Sequence, residues 1–526
     1  MRLLDPERAH EAADLIPDGS TLVLSGNGRQ LLAESLLAGI ERSFLERGQP
    51  RDLRLYYPAL PGAEAGTGVD HLAHPGLVRE VVTSAFRVWA LERMAALVRD
   101  DRIEAHCLPM GVGFQLLRAA AAGQPGLLTQ VGLDTFVDPG TGGGSAFNAV
   151  PPTRTWVRRV DVDGETYLFY RTPPVDVAIL RATAADRDGN LSLAGEPIRQ
   201  AALDMAMAAR ARGGRVLAEV RYLVRRGSLP PDRVDVPGFL VDAVLPPMPD
   251  AGPAEGDADP SLTGAWAVEP LAAPSPLDPV KVMARRAALL LRPGQLVNLG
   301  FGIPARVADV LAEEGVADAI LLSVEHGPIG GRPSGTSAFG AAVGPRYLLP
   351  SADTFTLYHG GQLDWAILGA AEVDAEGSVA VHRFAGAMPG PGGFVDITAS
   401  TRRLVFAAPL TTGGTRLRLC TGAQPGLGVE REGTIAKFVP RLDGRTFSGP
   451  RALRQGQEVW YVTDRATFRL LPDGLTLVEV APGIDPERDV IARMGFRPRV
   501  DAELGRWPGE LFRPGPLGLA HLWTAP

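Results

Sequence analysis

Cysteine is almost absent: Cys107 and Cys420 are the only two in 526 residues, and they form no CxxC pair. That excludes a disulfide framework or a cysteine-based zinc site, and it fits a reducing compartment. An excess of positive charge is missing too. With 53 Lys and Arg against 60 Asp and Glu, the net charge of −7 argues against a nucleic-acid surface. Long apolar runs are lacking; the nearest, AALLL before Arg292, is far too short to span a membrane. The opening MRLLDPERAH places Asp5 and Glu7 where a signal peptide would be apolar. These absences leave the expectation of a cytoplasmic globular protein that binds neither nucleic acid nor membrane.

What is present is glycine, proline and an alternation of apolar patterns. TLVLSG (21–26) reads as a buried strand closed by glycine, and 31–48 carries apolar residues at helical spacing before a stopping glycine. LRLYYP, VVTSAF and IEAHCLP read as further strands, so an α/β protein with mostly parallel sheets is expected. The length is too great for one core and predicts two large domains or more. Residues 246–275, crowded with Pro, Gly and Asp, read as a linker between an N-terminal domain 1–245 and a C-terminal domain 276–526. Near the end, two β-rich runs flank a PDG turn and predict a hairpin.

The two halves also look duplicated. VDVAILRATAADRDGNLSL (175–193) lies without gaps over LDWAILGAAEVDAEGSVAV (363–381), aligning Asp176 with Asp364 and Asp186 with Asp374. LSGNG (24–28) corresponds to NLGFG (298–302) in the same order. Gly26 and Asp176 stand 150 residues apart but Gly300 and Asp364 only 64, so the first half holds an insertion of about 86 residues. The fold expected is thus two related open α/β domains, the N-terminal one enlarged.

Chemistry concentrates in AILLSVEHGPIGGRPSG (319–335). An apolar strand delivers Glu325 at its carboxyl end, the edge of an open α/β sheet that faces ligands. Gly327, Gly330 and Gly331 follow at once and would let a bulky ligand approach the backbone closely. A carboxylate in this position can act as a covalent nucleophile. GFGIPAR (300–306), with Gly300 and Gly302, and MPGPGGFVDIT (388–398), with Gly392 and Gly393, could offer backbone N–H groups to an anion. Asp364, Asp374 and Glu372 form a loose acidic group, but the counterparts Asp176 and Asp186 favour turn-forming roles over a metal site. His326 is expected to pack or hydrogen-bond, since neither a carboxylate nor a thiolate nucleophile needs a general base.

Together these segments resemble the family I CoA-transferases, in particular the single-chain acetate or propionate and keto-acid group. VEHGPIGG resembles that family's Glu-x-Gly-x-x-Gly-Gly stretch, NLGFGIP its Asn-Leu-Gly-x-Gly-x-Pro segment, and GPGGFVDIT the glycine pair beside its thioester. GLLTQVGLDTFVDPGTGGG (126–144), EGTIAKFVPRL (432–442) and 462–490 resemble further stretches of that group without carrying chemistry. The resemblance implies transfer of coenzyme A between a short acyl-CoA and a free carboxylic acid through a glutamyl-CoA thioester on Glu325. It places Gly392 and Gly393 at the thioester or oxyanion, and Gly300, Gly302, Gly327, Gly330 and Gly331 against CoA. It further implies a crevice site between the domains, CoA as substrate rather than resident cofactor, no metal, and a homodimer or homotetramer. Met110 stands where members often carry a glutamine whose amide helps position substrate, and Met110 cannot donate a hydrogen bond. Gly377-Ser378-Val379-Ala380 replaces the common Gly-Asn-x-Asn. An acyl-CoA hydrolase, a non-catalytic CoA-binding relative of the same fold, and an NAD-dependent dehydrogenase using Gly300, Gly302 and Ala305 are the alternatives.

Overall fold

The computed structural model describes residues 1–87, 91–247, 259–266, 275–335 and 338–524. Two sheets organise them, one drawn from residues 2–245 and the other from 296–506. In the first, eight strands run parallel in the order Arg2–Leu3, Ala243–Leu245, Arg215–Leu223, Val177–Ala185, Thr21–Leu24, Leu53–Tyr57, Val78–Thr83 and Glu104–Cys107. Thr21–Leu24 and Glu104–Cys107 are buried at every position, as a sheet covered on both faces requires.

The second sheet repeats the centre of the first. Leu321–Ser323, Leu296–Leu299, Trp365–Gly369, Arg403–Ala407 and Glu458–Val462 are parallel neighbours in that order. The hairpin predicted from the PDG turn is formed by Ala466–Leu471 and Gly474–Val480, paired antiparallel on this sheet. The duplication extends to single hydrogen bonds. Asp176 accepts from Thr21 N–H at 2.8 Å, and Asp364 accepts from Leu296 N–H at 2.9 Å, each carboxylate tying its strand to the matching neighbour. Asp186 accepts from the N–H groups of Asp188 and Asn190, and Asp374 likewise from those of Glu376 and Ser378. The four aspartates therefore close turns and anchor strands.

The enlargement of the first half is visible as added elements. They include the strand Glu104–Cys107, the helix Met110–Ala121, and an antiparallel sheet of Gly126–Thr129, Val157–Val162 and Glu165–Arg171. Of the expected linker, 248–258 and 267–274 lie outside the described residues. The piece between them lies against the second half, where Gly344 N–H donates to Ser261 O at 2.8 Å and Leu262 is buried. No helix among the described residues is long and apolar enough to cross a membrane.

The helix Met110–Ala121 joins the halves. Its first amides, Gly111 and Val112, donate to the two carboxylate oxygens of Asp396 at 3.0 and 3.1 Å, across 285 and 284 residues of chain. Asp396 is fully buried and also meets His359 Nε2 at 3.0 Å. Phe114 stacks on Phe355 beside it, with ring centroids 6.4 Å apart. A charged N-terminal cap is thus supplied by one half to a helix of the other.

Candidate active site

Leu321–Ser323 is short, buried from Leu322 on, and stopped abruptly. Val324 N–H donates to Pro328 O at 2.9 Å and Gly327 N–H to Val324 O at 3.0 Å, so the chain reverses immediately and leaves Glu325 at the apex. Gly327 has φ of +126°, and a Cβ there would stand 2.1 Å from Leu349 O. Only glycine permits this turn. Glu325 projects into a cavity of about 480 Å³. Asn27, Leu60, Ala85 and Met110 line it from the first half, and Asn298, Gly300, Phe339, Gly393 and Lys437 are among its residues from the second. Most of these follow the carboxyl ends of parallel strands, the ligand-binding edge of open α/β sheets.

Glu325 is largely buried, and no cation among the described residues pairs with it. Loss of hydration pushes its carboxyl above the ordinary glutamate range, while its own backbone N–H and the Asn298 side chain draw it partly back. Asn298 is held by its amide nitrogen, which donates to Ser323 O at 3.2 Å and to Tyr358 Oη at 3.3 Å. Tyr358 Oη in turn lies 2.5 Å from Ser323 Oγ. A carboxylate in such surroundings is poorly solvated and not neutralised, which suits a nucleophile.

His326 borders the same cavity but is a poor base. It is fully buried, burial pushes its imidazole down to about 4, and neither ring nitrogen has a partner among the described residues. The neutral ring packs edge-on to Phe339, centroids 6.2 Å apart, in agreement with a packing role.

Gly392 and Gly393 lie in the cavity wall with different tasks. Gly392 N–H is occupied by Ser84 O at 3.0 Å, and Gly392 O accepts from Met110 N–H at 3.2 Å. Its expected part as an N–H donor is therefore corrected: it fixes the seam between the halves. Gly393 N–H has no acceptor among the described residues, and a Cβ there would lie 3.4 Å from Glu325 Cγ. Gly393→Ala is expected to slow exchange about tenfold or more, because the new Cβ stands 3.2 Å from the buried Phe355 ring and against Glu325, and to cost about 1–2 kcal/mol of stability. Paired measurements of kcat and denaturation midpoint check this.

Four other glycines expected against CoA sit outside the wall of this cavity. Gly327, Gly330 and Gly331 do not line the cavity; they admit Leu349 O, the Arg346 side chain and Val343 O, atoms of the returning arm 343–349. Gly302, with φ of +79°, is likewise outside the wall, whereas Gly300 lines it but spends its N–H on Ile367 O at 2.8 Å.

Residues that the sequence reading left without a role are equally informative. Asn298 and Lys437 both line the cavity; Lys437 Nζ donates to Ala370 O at 3.0 Å, and burial lowers its ammonium while Glu372 opposes that shift. Both belong to quoted motifs, NLGFGIP and EGTIAKFVPRL, and alternation along Leu296–Leu299 could have set Asn298 apart. Phe301 is exposed at the cavity and meets Phe339 edge-on, centroids 5.4 Å apart.

Comparison with known proteins fixes the family. The Coenzyme A transferase profile matches residues 7–246. The acetate CoA-transferase YdiF of Escherichia coli K12 is 37% identical over 521 residues, covering 97% of this chain and 95% of the relative. The chain belongs to the coenzyme A transferase family. Caffeate CoA-transferase of Acetobacterium woodii is also 37% identical, over 513 residues and 96% of each protein. The crystal structure of E. coli O157:H7 YdiF as a thioester complex with CoA superposes with a TM-score of 0.90 at 36% identity, covering 98% of this chain and 97% of that one. The transferase is thus an enzyme of two α/β halves that moves coenzyme A, and the dinucleotide-dehydrogenase alternative gives way to this membership.

Proposed function

We propose that the transferase exchanges coenzyme A between a short acyl-CoA and a free carboxylate such as acetate, with Glu325 as the covalent nucleophile. The observation that carries this reading is an unpaired, dehydrated carboxylate at a strand end inside a cavity shared by both halves. The Glu325 carboxylate attacks the thioester carbonyl, forming a mixed anhydride and releasing the CoA thiolate. The thiolate then attacks the glutamyl carbonyl, giving an enzyme thioester and freeing the first acid. A second carboxylate attacks that thioester, the thiolate returns to the new acyl carbonyl, and Glu325 is regenerated. Gly393 N–H is the donor placed to meet the developing oxyanion.

Acetate and caffeate, the acids in the relatives' names, differ greatly in size, so the chemistry at Glu325 is common to acceptors that the cavity walls must distinguish. Met110, buried and 3.7 Å from the Cβ position of Gly392, adds an apolar wall where an amide would attract water. That favours transfer over hydrolysis. The reading includes domains at 1–245 and 276–526 joined by 246–275, no resident cofactor, and a homodimer or homotetramer working in the cytoplasm. Incubating acyl-CoA with and without acetate tests it: new acyl-CoA should form with acetate, and free CoA should stay near the uncatalysed level without it. Release of free CoA at the exchange rate would make the enzyme a hydrolase.

A further inference from the structure

Asn298 has more acceptors than hydrogens. Its amide nitrogen carries two, yet three oxygens draw on it: Ser323 O at 3.2 Å, Tyr358 Oη at 3.3 Å and the Glu325 carboxylate. Its own Oδ1 is buried and has no hydrogen-bond partner among the described residues. Turning the amide over would not relieve that, because Oδ1 would then face the oxygens of Ser323 and Glu325. The nitrogen end must therefore be held in place, and Ser323 O and Tyr358 Oη are the atoms that hold it.

Tyr358 is built for this task. Its side chain is fully buried, and burial raises the phenol above its ordinary range; the Ser323 hydroxyl opposes that shift and the Glu325 charge adds to it. The hydroxyl thus keeps its proton. An amide nitrogen can only donate, so Tyr358 Oη accepts from Asn298 and gives its own proton to Ser323 Oγ, 2.5 Å away.

The helix bearing Tyr358, Ser351–His359, is fixed from both halves. Ser351 N–H donates to Gln200 O of the first half at 2.7 Å, and Ser351 Oγ donates to His326 O, beside the nucleophile, at 3.3 Å. Asp353 accepts from Arg118 Nη1 of the first half at 2.7 Å, and His359 Nε2 meets Asp396 at 3.0 Å. The phenol is therefore placed by the seam between the halves rather than by the strand that delivers Glu325.

We propose that Tyr358 is a positioning residue for the transfer: through Asn298 it keeps an amide N–H on the Glu325 carboxylate and holds the nucleophile in its attacking orientation. A donor fixed on the anion contributes only while its direction is maintained. The inference rests on Glu325 as the nucleophile, a premise with its own test.

Exchange kinetics across pH in Tyr358→Phe, which removes only the hydroxyl, are the measurement. With Asn298 left on one anchor, kcat should fall about tenfold while KM for acyl-CoA stays within about twofold. The acid limb of kcat/KM should move to higher pH, because the carboxylate loses the donor that favours its ionised form. In an Asn298→Ala background the phenol has no amide to hold, so adding Tyr358→Phe should change kcat by less than about twofold. Ser323→Ala, which removes the acceptor of the phenol proton, should slow kcat a few-fold with the same upward shift, and it carries the test if Tyr358→Phe folds poorly. Wild-type kcat with an unmoved acid limb overturns the proposal, even where the unfolding midpoint drops. Equal losses from Tyr358→Phe with and without Asn298 overturn it too. Retained exchange in Glu325→Gln would instead refute the premise, whatever the tyrosine variant does.

Discussion

Replacing Glu325 by Gln should lower acyl exchange by at least about 10³-fold, because no other group in the cavity can form the enzyme thioester. The same substitution should stabilise the fold. A carboxyl whose proton is held more tightly in the folded protein than in the unfolded chain costs stability wherever it must be ionised. Burial raises the Glu325 carboxyl above the ordinary 4.5. The cost is complete above that raised value and fades as pH falls through it toward 4.5. Glu325→Gln should therefore be more stable than wild type at pH 7, with the gap closing in acid. Denaturant unfolding at pH 7 and pH 4.5 measures the difference. The acid limb of kcat/KM in the wild type should lie above 4.5 for the same reason, since only the anion attacks. Equal stability at both pH values would mean that Glu325 is well hydrated.

Asp396→Ala should have the largest effect on folding. It strips a fully buried carboxylate from two backbone amides and a histidine, leaving Gly111 and Val112 N–H without acceptors inside the core. Breaking such a buried, charge-assisted set costs about 3–5 kcal/mol. Asp396→Asn, which keeps the shape and one acceptor oxygen, should cost about half as much. Activity should fall as well under conditions where both variants remain folded, because Met110 N–H and Gly392 O form the adjoining seam. Urea unfolding with exchange assays on the folded fraction separates the two losses. An Asp396→Ala variant that unfolds at the wild-type midpoint would show that this carboxylate contributes nothing to holding the halves together.

Asp396 also marks the limit of what the sequence discloses. It sits inside GPGGFVDIT, whose glycines drew attention because unusual backbone freedom is a local property. The two amides it caps are on a helix almost 300 residues earlier, and no local pattern announces such a pairing. The same limit explains Gly327, Gly330 and Gly331. A glycine cluster beside a nucleophile reads as room for a ligand, but the room is taken by the returning arm 343–349, a partner visible only once the chain is folded. The duplicated sheets were legible because strand runs and the anchors Asp176 and Asp364 recur at matching places, each with the same hydrogen bond to a neighbouring strand. Glu325 was legible for a related reason: an apolar run that ends in a lone acid before a turn leaves that acid at the sheet's ligand edge. Met110 became interpretable only with its neighbours, as an apolar residue buried against the glycine seam.

Covalent capture is the most direct test of the nucleophile. The protein is incubated with acyl-CoA and no acceptor acid, treated with hydroxylamine or borohydride, digested and analysed by mass spectrometry. The modification should fall on Glu325, in the peptide containing VEHGPIGG, and should be absent when acyl-CoA is omitted. Modification of another carboxylate, with that peptide left intact, would contradict the assignment.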